Sequence, residues 1–235
     1  MKIKGSRVLV TGANRGLGLA FVRALLARGA ARVYAGAREP STIAIAGVQP
    51  VQLDVTRPEQ IAAAAAALDD VSVVINNAGI SRGGGLLAPD GVAALEAELA
   101  TNLLGPLLVA RAFAPVLARN GGGALVDVLS ALSWINRPGV ATYSVSKAAA
   151  WSLTNGLRQA LRAQGTHVVA VHVGYMDTDM ARHVSGPKTS PDDVAGQTLD
   201  AIEDGRFEVL ADEVSRQIKG GLSAPQAPYL GVGQP

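Results

Sequence analysis

The chain has 235 residues, 49% of them hydrophobic and 17% charged, which excludes a disordered polypeptide and suits one α/β domain or two very small ones. Lys and Arg number 21 against 19 Asp and Glu, and a net charge of +2 without a basic stripe argues against a nucleic-acid-binding surface. The absence of cysteine excludes a disulfide scaffold, thiolate metal ligands and cysteine nucleophiles, and fits a reducing cytoplasm.

Met1 to Gly5 leads straight into Val8-Leu9-Val10, and Thr11 to Arg15 interrupts before an apolar core of signal-peptide length forms. The uncharged run Ile61–Leu68 is far short of the ~20 residues that span a bilayer. The expectation is a soluble, cytoplasmic protein with no membrane partner. Arg7–Val10 predicts a buried strand. Leu17–Arg28 follows with helical apolar spacing and ends at Gly29. Arg32–Ala37 and Val48–Leu53 predict strands, and Glu59–Leu68 a helix entered through Thr56-Arg57-Pro58. Val71–Ile75 is the fourth strand, leaving through Asn76-Asn77-Ala78-Gly79. Asp90–Arg119 predicts two helices that meet near Thr101-Asn102. Ala124–Leu129 is a strand, Tyr143–Gln164 a long helix, His167–Val173 a strand, Asp192–Glu203 a helix and Phe207–Ala211 a last strand.

The strands are near-continuous in Val, Leu, Ile and Ala rather than alternating, as when helices cover both faces of a parallel sheet. Right-handed crossovers then give an α/β fold, one doubly wound Rossmann-type sheet of about seven strands, as a single domain over residues 1–235. The stretch 223–235, with three Pro and two Gly, is expected to be a mobile tail.

The first strand runs into Thr11-Gly12-Ala13-Asn14-Arg15-Gly16-Leu17-Gly18 and then a helix. Such glycines allow backbone to approach a phosphate, and the helix N-terminus supplies unpaired N–H groups and a positive dipole end. The second strand ends at Ala37-Arg38, where an Asp or Glu would hold the 2′-hydroxyl of NAD. Arg38 and Arg15 instead offer planar, charge-assisted forks to a 2′-phosphate, which favours NADP(H); two solvated surface arginines are the alternative. Tyr143-Ser144-Val145-Ser146-Lys147 puts a phenol and an ammonium on one helix face. A phenol titrating near ~10 is a poor base at neutral pH, and a neighbouring cation favours its ionisation. Ser130 stands at the carboxyl end of the fifth strand, where open α/β sheets place ligands.

With these pieces in order, residues 6 to about 211 resemble the short-chain dehydrogenase/reductase family. The matching motifs are Thr11-Gly12-x-x-x-Gly16-x-Gly18, Asp54-Val55, Asn76-Asn77-Ala78-Gly79, Asn102, Ser130, Tyr143-x-x-x-Lys147, and Gly174 with Thr178. The resemblance implies hydride transfer between NADP(H) and a carbonyl/alcohol substrate, with Tyr143 as acid/base and Ser130 orienting the substrate oxygen. Lys147 would hold the nicotinamide ribose and tune Tyr143, and Asn102 would support a proton relay to Lys147. Gly12, Asn14, Arg15, Gly16, Leu17 and Gly18 would cradle the diphosphate end, and Arg38 the 2′-phosphate. Asp54 and Val55 would flank the adenine, and Asn77, Ala78 and Gly79 the adenosine ribose. Thr178, with the Gly174–Met176 backbone, would bind the nicotinamide side. The resemblance also implies a homodimer or homotetramer formed through Leu103–Arg119 and Tyr143–Gln164.

There is one departure: Val173-Gly174 stands where the family usually has Pro-Gly. The segment Asp177–Pro191 leaves little room for a lid, which suggests an open site. His167, His172 and His183 are not spaced as a metal site, and no metal is expected. Trp134 and Tyr175 are candidates for the substrate pocket or for packing, and Trp151 for packing against the sheet or a partner subunit. A non-catalytic NADP-sensing protein and a lyase or epimerase on the same fold are the rival readings.

Overall fold

The computed structural model describes residues 1–231. Its strands are β1 (Arg7–Thr11), β2 (Arg32–Ala37), β3 (Gln49–Gln52), β4 (Val73–Asn76), β5 (Ala124–Val128), β6 (His167–His172) and β7 (Glu208–Leu210). They form one sheet in the order β3-β2-β1-β4-β5-β6-β7, with every pairing parallel. The helices are α1 (Gly16–Ala27), α2 (Pro58–Ala67), α3 (Gly91–Leu99), α4 (Gly105–Arg119), α5 (Ala141–Ala160), α6 (Pro191–Asp204) and α7 (Glu213–Gly220).

Successive residues of a strand point to opposite faces, so an apolar run feeds two cores. On one face Val8 and Val10 of β1 join Phe21 and Leu25 of α1 and Leu199 and Ile202 of α6. On the other, Leu9 joins Ile61 of α2, Val109 and Phe113 of α4 and Leu157 of α5. Each such side chain, fully buried, contributes about 1.5–3 kcal/mol. Because β1 lies between β2 and β4, the winding reverses there, and the carboxyl ends of β1 and β4 open a crevice.

The expected pair of helices over Asp90–Arg119 is one continuous run. α3 passes through a π-helical segment, Ala100–Leu104, into α4. Two residues favour the wide turn. Pro106 has no N–H to donate back along the helix. A Cβ on Gly105 would lie 2.8 Å from Val55 Cγ2, so glycine permits the helix to ride over the chain after β3. The joined run, Gly91–Arg119, is long enough for a membrane span and holds an 18-residue window of mean hydropathy 1.4. It lies instead along the sheet, with Val109, Phe113 and Leu117 in the core.

α5 begins two residues before Tyr143, at Ala141, and a 3₁₀ turn, Arg162–Gln164, leads into Gly165 at φ +76°. α7 follows β7 and has no counterpart in the sequence expectations; an Asp212–Ser215 capping box starts it. Within the expected tail, Ala227 is buried and Pro228 packs over Gly221, while residues 232–235 lie outside the described residues.

Candidate active site

The turn after β1 is shaped for close approach. Gly12 has φ +63° and Gly16 φ +52°, values that L side chains rarely adopt. A Cβ on Gly18 would sit 2.0 Å from the Gly12 carbonyl oxygen, so glycine there lets α1 start against the turn. Among the described residues no side chain caps the start of α1, which leaves its first N–H groups for an anion. The turn is braced from β4. Thr11 Oγ1 accepts from the N–H groups of Asn77 and Ala78, both at 3.0 Å, and Asn77 Nδ2 donates to the carbonyls of Thr11 and Gly12 at 2.9 and 3.1 Å. Asn77 thus spends its amide on the turn. Leu17 is buried in the core, so its backbone is what faces the turn; Asn14 is half-buried beside it.

Arg15 and Arg38 are both exposed, at the ends of the neighbouring strands β1 and β2. Arg15 lies 3.5 Å from Asp179, a surface pair worth at most about 1 kcal/mol and easily displaced by a phosphate. Arg38 acts on Asp54. Burial pushes that carboxyl up, but hydrogen bonds from the Thr56 N–H and hydroxyl and the charges of Arg38 and Arg57 outweigh it and hold it below the usual range. Val55 is buried under Gly105.

The four expected catalytic residues come together past the ends of β4 and β5. Lys147, on α5, is buried, donates to the Val128 carbonyl at 2.8 Å and lies 5.7 Å from the centre of the Tyr143 ring. Burial lowers its pKa to about 8, against an upward pull from Asp127. Burial pushes the Tyr143 phenol up, a hydrogen bond with Ser130 pulls it down, and the nearby Glu98 adds to the rise. Ser130 begins a 3₁₀ turn, and its hydroxyl accepts from the Leu132 N–H at 3.1 Å. Asn102 sits in the π segment, which turns its amide into the fold. It accepts from the Ile80 N–H and donates to the Ile80 carbonyl, both at 2.9 Å, and donates to Ser146 Oγ at 3.0 Å. Gly79 fits between: a Cβ there would be 3.3 Å from Asn102 Oδ1 and 3.8 Å from Lys147 Nζ.

The segment after β6 closes the far side. Its Thr178 methyl would be 3.3 Å from a Cβ on Gly16, so the segment spans from Ser130 to the glycine-rich turn. Gly174 and Met176 lie along it half-buried, and Tyr175 is 40% exposed. Trp134 does not offer an open face. It is 8% exposed, stacked on His172 at 4.0 Å between ring centres, met edge-on by Trp151 and flanked by Lys219. Of its two readings, packing is the one that the contacts match. His172 is itself buried, which lowers its pKa to about 3, and its Nδ1 is 3.2 Å from the Ser130 carbonyl.

Three carboxylates escaped sequence reasoning. Asp127 lies buried behind Lys147, accepting from Asn76 Nδ2 at 2.9 Å and from the Thr154 hydroxyl at 2.8 Å. A charge inside the apolar strand Ala-Leu-Val-Asp-Val was the available signal. Glu98 is fully buried and accepts from the Arg82 N–H at 2.7 Å; among the described residues its other oxygen has no partner. Asp212 holds the Gly174 N–H at 2.6 Å.

A family model described as short chain dehydrogenase matches residues 6–188. A solved structure of a short chain dehydrogenase from Burkholderia cenocepacia, in complex with NADP, superposes with a TM-score of 0.95 at 39% identity over 100% of both chains. A short chain dehydrogenase of Monascus ruber, pigC, is 34% identical over 76% of this chain, and a ketoacyl reductase of Nostoc sp., HetN, is 32% identical over 90% of this chain and 80% of its own. The chain spans 65% of the length of the Monascus ruber relative and 45% of that of a short chain dehydrogenase of Aspergillus terreus, tazN.

Proposed function

The chain belongs to the short-chain dehydrogenase family, and from that premise we propose that it is an NADP(H)-dependent oxidoreductase acting on a carbonyl/alcohol pair. The observation that carries the reading is the meeting of Ser130, Tyr143, Lys147 and Asn102 at the carboxyl end of the sheet, against a glycine-rich turn whose helix start is uncapped. NADP(H) is favoured over NAD(H) by Arg15 and Arg38 and by the lack of an acid at the end of β2. The NADP in the Burkholderia cenocepacia structure supports the same choice.

The nicotinamide, when bound, supplies or receives the hydride. In the reducing direction Tyr143 gives its proton to the substrate oxygen, and burial keeps the phenol protonated until that moment. Ser130 lies close enough to the phenol to lower its pKa and orients the same oxygen. Lys147 presents its ammonium beside the ring and favours the phenolate left behind. Asn102 holds the Ile80 backbone and Ser146 and keeps the Lys147 side of the site in register.

A panel of ketones and aldehydes assayed at 340 nm with both cofactors tests the reading. Tyr143→Phe should lower turnover by about 10²–10⁴-fold while NADPH titrates as in the wild type. A variant as active as the wild type removes Tyr143 from the mechanism. Equal titration by NADH and NADPH removes the cofactor preference. A product formed with no net NADPH consumption moves the chain to the lyases or epimerases of the fold.

A further inference from the structure

After β6 the chain reads Val173-Gly174, so the backbone there lacks the restraint of a locked φ that a proline would give. The segment is nevertheless tied along its length. The Val173 carbonyl accepts from the Ala131 N–H at 3.0 Å and from the Ser130 hydroxyl at 3.4 Å. Tyr175 and Asp177 exchange backbone hydrogen bonds with Thr189, at 2.8 and 3.0 Å. The central tie is Asp212. Its Oδ2 accepts from the Gly174 N–H at 2.6 Å and from the Thr189 hydroxyl at 3.2 Å. Its Oδ1 accepts from the Ser215 N–H at 2.8 Å and hydroxyl at 2.7 Å, which caps α7. The approach is close: a Cβ on Gly174 would be 3.0 Å from Oδ2.

Four donors converge on two oxygens, and only an ionised carboxylate accepts on both sides. Asparagine caps a helix about as well, but its NH₂ would face one of the two donor pairs. A cap alone therefore does not account for aspartate. We propose that Asp212 is a positioning residue, which fixes the Gly174–Thr178 backbone from the start of α7. What the segment contacts, the nicotinamide side of the cofactor, rests on the functional reading above.

Hydrogen–deuterium exchange on the ligand-free chain tests the tie itself. Asp212→Asn should speed exchange over residues 173–178 at least ten-fold. Ser215→Ala, which removes a cap partner and leaves the Gly174 bond, should speed exchange in α7 alone. Binding then tests the consequence. Asp212→Asn should weaken NADPH at least ten-fold, read from nicotinamide fluorescence, while adenosine 2′,5′-bisphosphate, which lacks the nicotinamide, binds as to the wild type. Unchanged exchange over 173–178 in Asp212→Asn, identical behaviour of the two variants, or equal weakening of both ligands would overturn the proposal. A wild type that binds neither ligand would remove the functional reading, and the exchange comparison would still decide the role of Asp212.

Discussion

Lys147 shows how single residues are tuned here. Its ammonium is out of water, which disfavours charge, and one buried carboxylate, Asp127, works against that loss. The balance leaves its pKa at about 8, below the usual lysine value. On the proposed function the ammonium is the useful form, because it would favour the Tyr143 phenolate that reduction leaves. The sign follows: the useful form is present below pH 8 and lost as pH rises through it. The kcat/KM for carbonyl reduction should therefore fall about ten-fold per pH unit above an apparent pKa near 8. A flat profile between pH 7 and 10 would contradict this. The residues to which the proposed function gives the chemistry could be picked out in the sequence because their signals are local. Tyr143 and Lys147 are one helical turn apart, and Ser130 ends a strand. Glu98 and Asp212 were not legible, because each serves a backbone N–H distant in sequence, 16 and 38 residues away. No side-chain pattern announces a hydrogen bond to another segment's backbone.

At the scale of elements, the seven strands and most helices could be read from apolar runs, because burial on both faces leaves a continuous signal. The joint between α3 and α4 could not. Its form depends on a tertiary neighbour, Val55, that decides how close the helix comes. α7 was missed because it is short and mostly polar, and because its cap looks like any Asp-x-x-Ser. The joint carries a prediction. Gly105→Ala would push a Cβ to within 2.8 Å of Val55 Cγ2, and a packed interior yields little. Overpacking of this kind costs about 1–3 kcal/mol. Since Asn102 lies in the π segment that ends next to Gly105, the shift should reach its hydrogen bonds to Ile80. Denaturant unfolding should show the loss of stability, and adding Val55→Ala should recover part of it. A Gly105→Ala chain as stable as the wild type would mean that the helix relaxes freely there.

For the whole molecule, the outer surface of α4 and α5 is the unexplained part. Leu104 is 48% exposed beside the half-buried Leu107 and Leu108 of α4. On α5 the exposed positions include Ser152 and Gly156, with Ala149 half-buried one turn before. Among the described residues a Cβ on Gly156 would meet nothing within 4 Å, so none of them requires glycine there, although glycine within a helix costs about 1 kcal/mol relative to alanine. A helix from a second copy, approaching closely, would account for the small residue and for the exposed Leu104 at once. The expectation is a homodimer or homotetramer joined through these two helices, and light scattering should give at least twice the mass of one chain. Gly156→Trp has room to fold within the single chain and should shift the population toward the monomer. If the wild type scatters as a monomer, or the tryptophan variant keeps the wild-type mass, this face does not join copies, and the glycine needs another explanation.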